Sequence, residues 1–379
     1  KLRLLATSME PLKLAGEQVF RLDALAVPPA PMPLERARGF AAIQLLEPRA
    51  QAIDQHFCLS EGTVSQAIDL CRQLDGNALA IEMAASRLPL LGFDAVAARL
   101  GDRLRGLRNT SREAPARHQT LGATLDWSHA LLGDDEKRVL RQLAVFVGSF
   151  RLDAALAVAA TGAMDDTSVL DALFGLVDKS MLKIVQLEPP RYRLLESTRL
   201  YAAQRLEESG EAAAAMQRHS EAMARGAVEL DALYWVTPDR ELLRRFMADY
   251  DDLQMAYERA CAASWTSAAA DISGALTVLR NLRVIGAGRH QRLKSAAQLL
   301  PAAQGATRAK LLRLFANTYV STIQEVSRAD AARELVALRR ELGDAQRLYE
   351  ALGAQAAVGV VVGDLQTATQ AVAEGRQIE

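Results

Sequence analysis

The sequence predicts a mainly α protein of several domains, and three observations carry that expectation. Its 379 residues are too many for one ordinary core and suit two to four. Half of them are hydrophobic while aromatics make up only 5%, and Ala and Leu, with Glu and Arg on the polar faces, compose packed helices rather than sheets. Apolar residues recur at helical spacing through most of the chain, and strand-like alternation is confined to short segments.

Taken in order, residues 2–6 (Leu-Arg-Leu-Leu-Ala) read as a buried strand whose sheet partners are missing, so the sequence reads as truncated. Four prolines in residues 27–33 remove backbone donors and favour extended chain, which marks a connector. Between 34 and 107, Ile68, Cys71 and Leu74, then Leu79, Met83 and Leu88 after a break at Gly76, fall at helical spacing and predict a small bundle. Pro48 lies inside one of its helices and should kink it.

From 112 to 210 the pattern changes. Helical runs at 120–132, 136–146, 152–160 and 168–178 precede two alternating segments, 181–185 and 192–195, around the turn Glu188-Pro189-Pro190. A helix over 196–208 then stops at Gly210. Helices followed by a hairpin are the layout of a winged helix. Beyond Glu211 the chain reads as helical and repeats every 36 residues: Leu276, Leu312 and Leu348 align, as do Ala296, Ala332 and Ala368, and Leu300, Val336 and Val372. That period suggests tetratricopeptide-like hairpins that stack their apolar faces.

Composition also sets exclusions. A net charge of −1 with both signs interspersed gives the whole chain no field for nucleic acid or anionic lipid. The longest uncharged apolar stretch, 354–362, is far short of the roughly 20 residues of a membrane span. With no secretory signal, a cytoplasmic protein without membrane partners is expected. Cys58, Cys71 and Cys261 are odd in number and widely spaced, which suits free thiols. His56, Cys58 and Cys71 could be drawn as three metal ligands, but a fourth is missing, so no metal site is expected. Asp134-Asp135-Glu136 could be posed as a carboxylate cluster, but after Gly133 they read as helix-opening acids.

Several motifs occur together in order: K-L-R-L-L-A-T-S-M-E-P-L at 1–12, L-C-R-Q-L-D-G-N-A-L-A-I-E-M-A-A at 70–85, A-P-A-R-H-Q-T-L-G-A-T-L-D-W-S-H-A-L-L at 114–132, V-D-K-S-M-L at 177–182 and Y-R-L-L-E-S-T-R-L-Y-A-A-Q-R-L at 192–206. Over almost all of residues 1–260 the chain resembles the bacterial STAND regulatory ATPases related to NB-ARC domains. The resemblance implies a remnant of a nucleotide-binding α/β domain at 1–26, a helical bundle at 27–111, a winged-helix regulatory domain at 112–212 and helical repeats at 213–379. It places Thr7, Ser8 and Gly76 at nucleotide-proximal positions. It also exposes departures: Met9 stands where the family presents an arginine to the terminal phosphate, Ala78 where it has a proline near adenine, and Leu195 where some relatives carry a histidine.

No G-x-x-x-x-G-K-[ST] run occurs in the chain, so it is not expected to be an enzyme or to hold a cofactor itself. ATP or ADP with Mg would belong to the intact parent, together with nucleotide-dependent oligomerisation. The implied function is the regulatory and interaction segment of a signal-transducing ATPase, a bacterial transcriptional regulator, with a protein or small-molecule inducer on the repeats. The competing reading is a nucleotide-independent repeat scaffold, a decayed relative in which Met9 and Ala78 record the loss. Residues 126–208 hold 13 acidic and 10 basic side chains, a net of −3. That balance predicts no direct contact of this segment with nucleic acid.

Overall fold

The computed structural model describes residues 17–18, 20, 22–102, 121–162, 164–283, 289–317, 322–323 and 326–378. The expected strand at 2–6, with Thr7, Ser8 and Met9, lies outside these residues. The chain divides into two compact units, Lys1–Val145 with Arg151–Ala212, and Phe146–Phe150 with Ala213–Glu379.

The first unit opens with helices α1 (Leu34–Ala37), α2 (Ala41–Gln51), α3 (Val64–Gln73), α4 (Ala78–Ala85) and α5 (Leu88–Asp102). Ile43, Leu46, Ile68, Cys71, Ile81 and Met83 form its core. The three- and four-residue apolar spacing thus serves one shared interior. Pro48 sits inside α2, three residues before its end. Glu47 accepts from the Leu59 N–H at 3.1 Å and pairs with Arg38 at 2.9 and 2.7 Å. One buried carboxylate therefore fastens the α2–α3 loop, and Arg38 holds its pKa below the usual carboxylate range. Gly92 breaks α5 with non-helical torsions.

The winged helix follows: α6 (Leu121–Ala130), α7 (Asp134–Leu143), β1 (Phe150–Arg151), α8 (Leu152–Ala159), α9 (Asp166–Asp178), β2 (Lys183–Leu187), β3 (Pro190–Arg193) and α10 (Glu196–Glu208). The strand order is β1-β3-β2. The hairpin lies elsewhere than the alternation predicted, because Met181 and Leu182 are not strand residues. Both their N–H groups donate to the Leu176 carbonyl, at 2.9 and 3.2 Å, and so close the C-terminus of α9. The acids opening α7 act as helix-terminal groups: Glu136 accepts from the Gly133 N–H at 2.7 Å and pairs with Lys179 at 2.6 Å.

The second unit contains α11 (Ala212–Leu233), α12 (Asp239–Phe246), α13 (Tyr250–Ala262), α14 (Thr266–Arg283), α15 (Arg289–Leu299), α16 (Gly305–Ala316), the short strands β4 (Thr322–Ile323) and β5 (Val326–Ser327), α17 (Arg328–Leu342), α18 (Ala345–Val362) and α19 (Leu365–Gly375). α13 packs on α14 and α14 on α16, and from α16 onward each helix packs on the next, with α16 also meeting α18. Ala296, Ala332 and Ala368 are all buried. A small residue at each close helix crossing is what lets such pairs approach.

Two charged clusters lie inside this unit. Arg313 reaches Asp231 at 2.9 Å and Glu350 at 2.5 Å, while Arg347 reaches Asp231 at 2.5 Å and Glu350 at 3.1 Å. His219 is fully buried, with Nε2 3.1 Å from Asp252 Oδ1 and Nδ1 3.1 Å from Arg259 Nη1. Asp252 also accepts from the N–H groups of Val147 and Gly148 at 2.8 and 3.0 Å.

Candidate nucleic-acid interface and its joint to the helical bundle

The turn between α3 and α4 determines the geometry of this region. Asp75 and Gly76 both adopt positive φ, 50° and 66°. A side chain on Gly76 would fall within the van der Waals shell of the Leu25 carbonyl. Gly76 donates to Cys71 O at 3.1 Å and accepts from Leu25 N–H at 2.9 Å, so both its backbone groups are satisfied inside the protein. The structure thus supplies a packing reason for this glycine. Asn77 caps α4 by accepting from the Ala80 N–H at 3.1 Å, which leaves Ala78 at the first helical position, where a proline would also be accommodated.

Asp75 points from this turn to the winged helix. Its Oδ2 accepts the Glu196 N–H at the start of α10, and its Oδ1 lies 3.5 Å from Arg193 Nη2. Leu195, the N-cap residue of α10, has no side chain able to cap, so Asp75 supplies the missing acceptor from 121 residues away. Burial pushes the Asp75 carboxyl above its usual range, opposed by the Glu196 amide and the Arg193 guanidinium. Tyr201 on α10 enters the core of the helical bundle and donates to Asp126 at 2.8 Å. Arg205 joins the same carboxylate at 2.8 Å.

The wing places Lys183 directly opposite Arg193, in an antiparallel ladder that continues through Ile184–Tyr192, Gln186–Arg191 and Leu187–Pro190. Like charges directly opposite each other destabilise a sheet unless an anion lies between or beside them. Asp75 is that anion here, interacting with both cations. Across residues 179–193 there are four basic side chains against one acid, Glu188; Arg191 is buried and Lys179 is paired with Glu136, so the cations the wing presents are the partly exposed Lys183 and the exposed Arg193. Ile184 and Val185 project from the same hairpin into solvent.

Other sequence candidates have ordinary roles. Cys71 is buried among apolar neighbours, and its thiol is pushed up to about 12 by desolvation, which makes it inert. Cys58 is exposed. Among the described residues, no group of three or more His, Cys, Asp or Glu is placed to hold a metal ion. No helix among them is long and apolar enough to cross a membrane.

A winged helix-turn-helix family model matches residues 132–207. Proteins of Mycobacterium tuberculosis and Mycobacterium bovis named "Putative HTH-type transcriptional regulator" are 34% identical over 374 residues, covering 93% of this chain and 40% of theirs. An uncharacterized protein of M. tuberculosis is 39% identical over 222 residues, covering 58% of this chain and 53% of its own. The chain thus spans about 40% of the length of the regulators it matches. Among solved structures it is similar to a STAND protein with a tetratricopeptide repeat sensor from Pyrococcus horikoshii, at 11% identity and a TM-score of 0.31, covering 89% of this chain and 53% of that one.

These findings overturn the expectation of no direct nucleic-acid contact, since the matched domain and the names of the relatives point to DNA binding. The net charge of −3 was the wrong quantity. DNA meets a local surface, and averaging over 83 positions (126–208) hid the cross-strand pair of cations, Lys183 and Arg193, on the wing.

Proposed function

We propose that this chain is the regulatory segment of a transcriptional regulator of the STAND type, in which the winged helix contacts DNA through its wing and the helical repeats receive an inducing partner. The observation that carries the proposal is the Lys183–Arg193 cross-strand pair neutralised by Asp75. A DNA phosphate is a second anion that could take the same place. Phosphate would then compete with Asp75 for Arg193, so that DNA binding and the capped joint at α10 are coupled. Relatives named as transcriptional regulators and the matched winged helix support this reading. In a protein of the length of the mycobacterial regulators, ATP or ADP with Mg would be bound by sequence upstream of Lys1, with Thr7, Ser8 and Gly76 near the nucleotide. The part of the chain described here would relay that state and not carry out hydrolysis.

The test is binding of the 379-residue protein to a fluorescent duplex, followed by anisotropy from low to moderate salt. Wild-type affinity should fall steeply with salt, and replacing Lys183 and Arg193 together by Ala should reduce the logarithmic salt slope by about 2. A double variant that binds with the wild-type slope would remove the wing from the interface.

A further inference from the structure

Among the described residues of the second unit, Arg292, Arg313, Arg339 and Arg347 are arginines buried to nine-tenths or more. Three of them meet a carboxylate: Arg313 and Arg347 share Asp231 and Glu350, and Arg339 lies 4.0 Å from Asp344. Arg292 on α15 is 8% exposed and forms no ion pair among the described residues, and its buried Nη1 has no hydrogen-bond partner. Folded proteins rarely leave a buried guanidinium in that condition, because nothing then replaces the hydration it has lost.

Arg292 lines a cavity of about 10 Å³ between α13, α14, α15 and α16, room for one particle the size of a water molecule. The other polar groups around it are hydroxyls. Tyr257 donates to the Arg292 carbonyl at 2.9 Å and so fixes the backbone of α15 beside the cavity. Ser273 donates to the Ala270 carbonyl at 2.7 Å and Thr277 to the Ser273 carbonyl at 2.9 Å. Both bonds stay within α14, and a rotating hydroxyl can exchange them for a ligand. Leu276 and Leu314 close the cavity with apolar surface. Asp271, the acid of α14, is paired with Lys310 on α16.

We infer that this cavity is a binding site for a monovalent anion of the size of chloride, held by Arg292 and by the hydroxyls of Ser273 and Thr277. A water molecule there would return a hydrogen bond to the guanidinium and leave its charge unbalanced, whereas a halide supplies both. The size of the cavity rejects a tetrahedral oxyanion such as sulfate. Four helices meet at the site, so the bound anion stabilises that part of the second unit against local opening. The inference is independent of whether the wing binds DNA.

Amide exchange of the 379-residue protein tests it, at constant ionic strength in sodium chloride and in sodium gluconate. At ten times its dissociation constant, chloride should slow exchange across Arg289–Leu299 by about tenfold, and the effect should saturate. Bromide should act as chloride does, and sulfate should not. Arg292→Gln should remove the difference between chloride and gluconate. If that variant does not fold, Thr277→Val decides: losing one hydroxyl should weaken the apparent chloride affinity by about threefold or more, and an unchanged affinity would overturn the inference. Equal exchange of the wild-type protein in chloride and gluconate would also overturn it, since water would then be the occupant. So would a chloride effect that persists in Arg292→Gln.

Discussion

The two units place their buried polar groups differently, although Asp252 in the second also accepts from two backbone N–H groups. In the first, single acceptor side chains meet backbone N–H groups at chain ends: Glu47 holds Leu59, Asn77 caps α4, and Asp75 caps α10. In the second, guanidinium groups lie between helices, with Arg313 and Arg347 sharing Asp231 and Glu350 across α11, α16 and α18. Caps act locally and can be lost one at a time. An interhelical network fixes which helix faces which, and losing one member leaves another charge buried. The difference suggests an adjustable joint at the winged helix and a rigid register in the repeats.

The largest expected effect breaks the second pattern. Asp231→Ala removes a carboxylate shared by two buried guanidiniums and should cost about 3–5 kcal/mol, read by urea denaturation. Gly76→Ala comes next. Positive φ alone costs about 1–2 kcal/mol, and the clash with Leu25 adds to it, so the 22–27 segment should also lose amide protection. Asp75→Ala should cost about 1 kcal/mol as a lost cap. Asp75→Asn keeps an oxygen acceptor for the Glu196 amide but leaves the facing Lys183 and Arg193 without their anion, so it should recover only part of that. If Asn and Ala behave alike, the cap is not what holds α10.

The smallest effect at neutral pH concerns His219. Desolvation lowers its pKa below the ordinary 6.5, opposed by the Asp252 carboxylate, while Arg259 adds to the lowering. Its contribution to stability is therefore fully present above about pH 6.5. As pH falls below that value, the unfolded chain takes up the proton first and stability is lost down to the folded pKa. Thermal melts from pH 7.5 to 5.5 should show this, and His219→Gln should flatten the slope.

Much of the architecture was legible because it follows period and punctuation. The helix over 196–208 with its stop at Gly210, the helix at 152–159 and the buried alanines at 296, 332 and 368 follow from spacing alone. The wing's register was not legible. Met181 and Leu182 look like strand residues but serve the end of α9, which concealed that Lys183 faces Arg193. The His219–Asp252–Arg259 cluster has no motif to mark it, since His219 on α11 lies 33 and 40 residues from Asp252 and Arg259 on α13. Asp75 was passed over for its neighbour Gly76, because a cap supplied from 121 residues away leaves no local trace.

The measurement that bears most directly on the proposed function is amide exchange of the 379-residue protein with and without duplex DNA. Binding through the wing predicts slowed exchange in β2 and β3 together with altered exchange in the first turn of α10, where Asp75 and DNA phosphate compete for Arg193. Protection confined to the repeats, with the wing and α10 unchanged at saturating DNA, would contradict it.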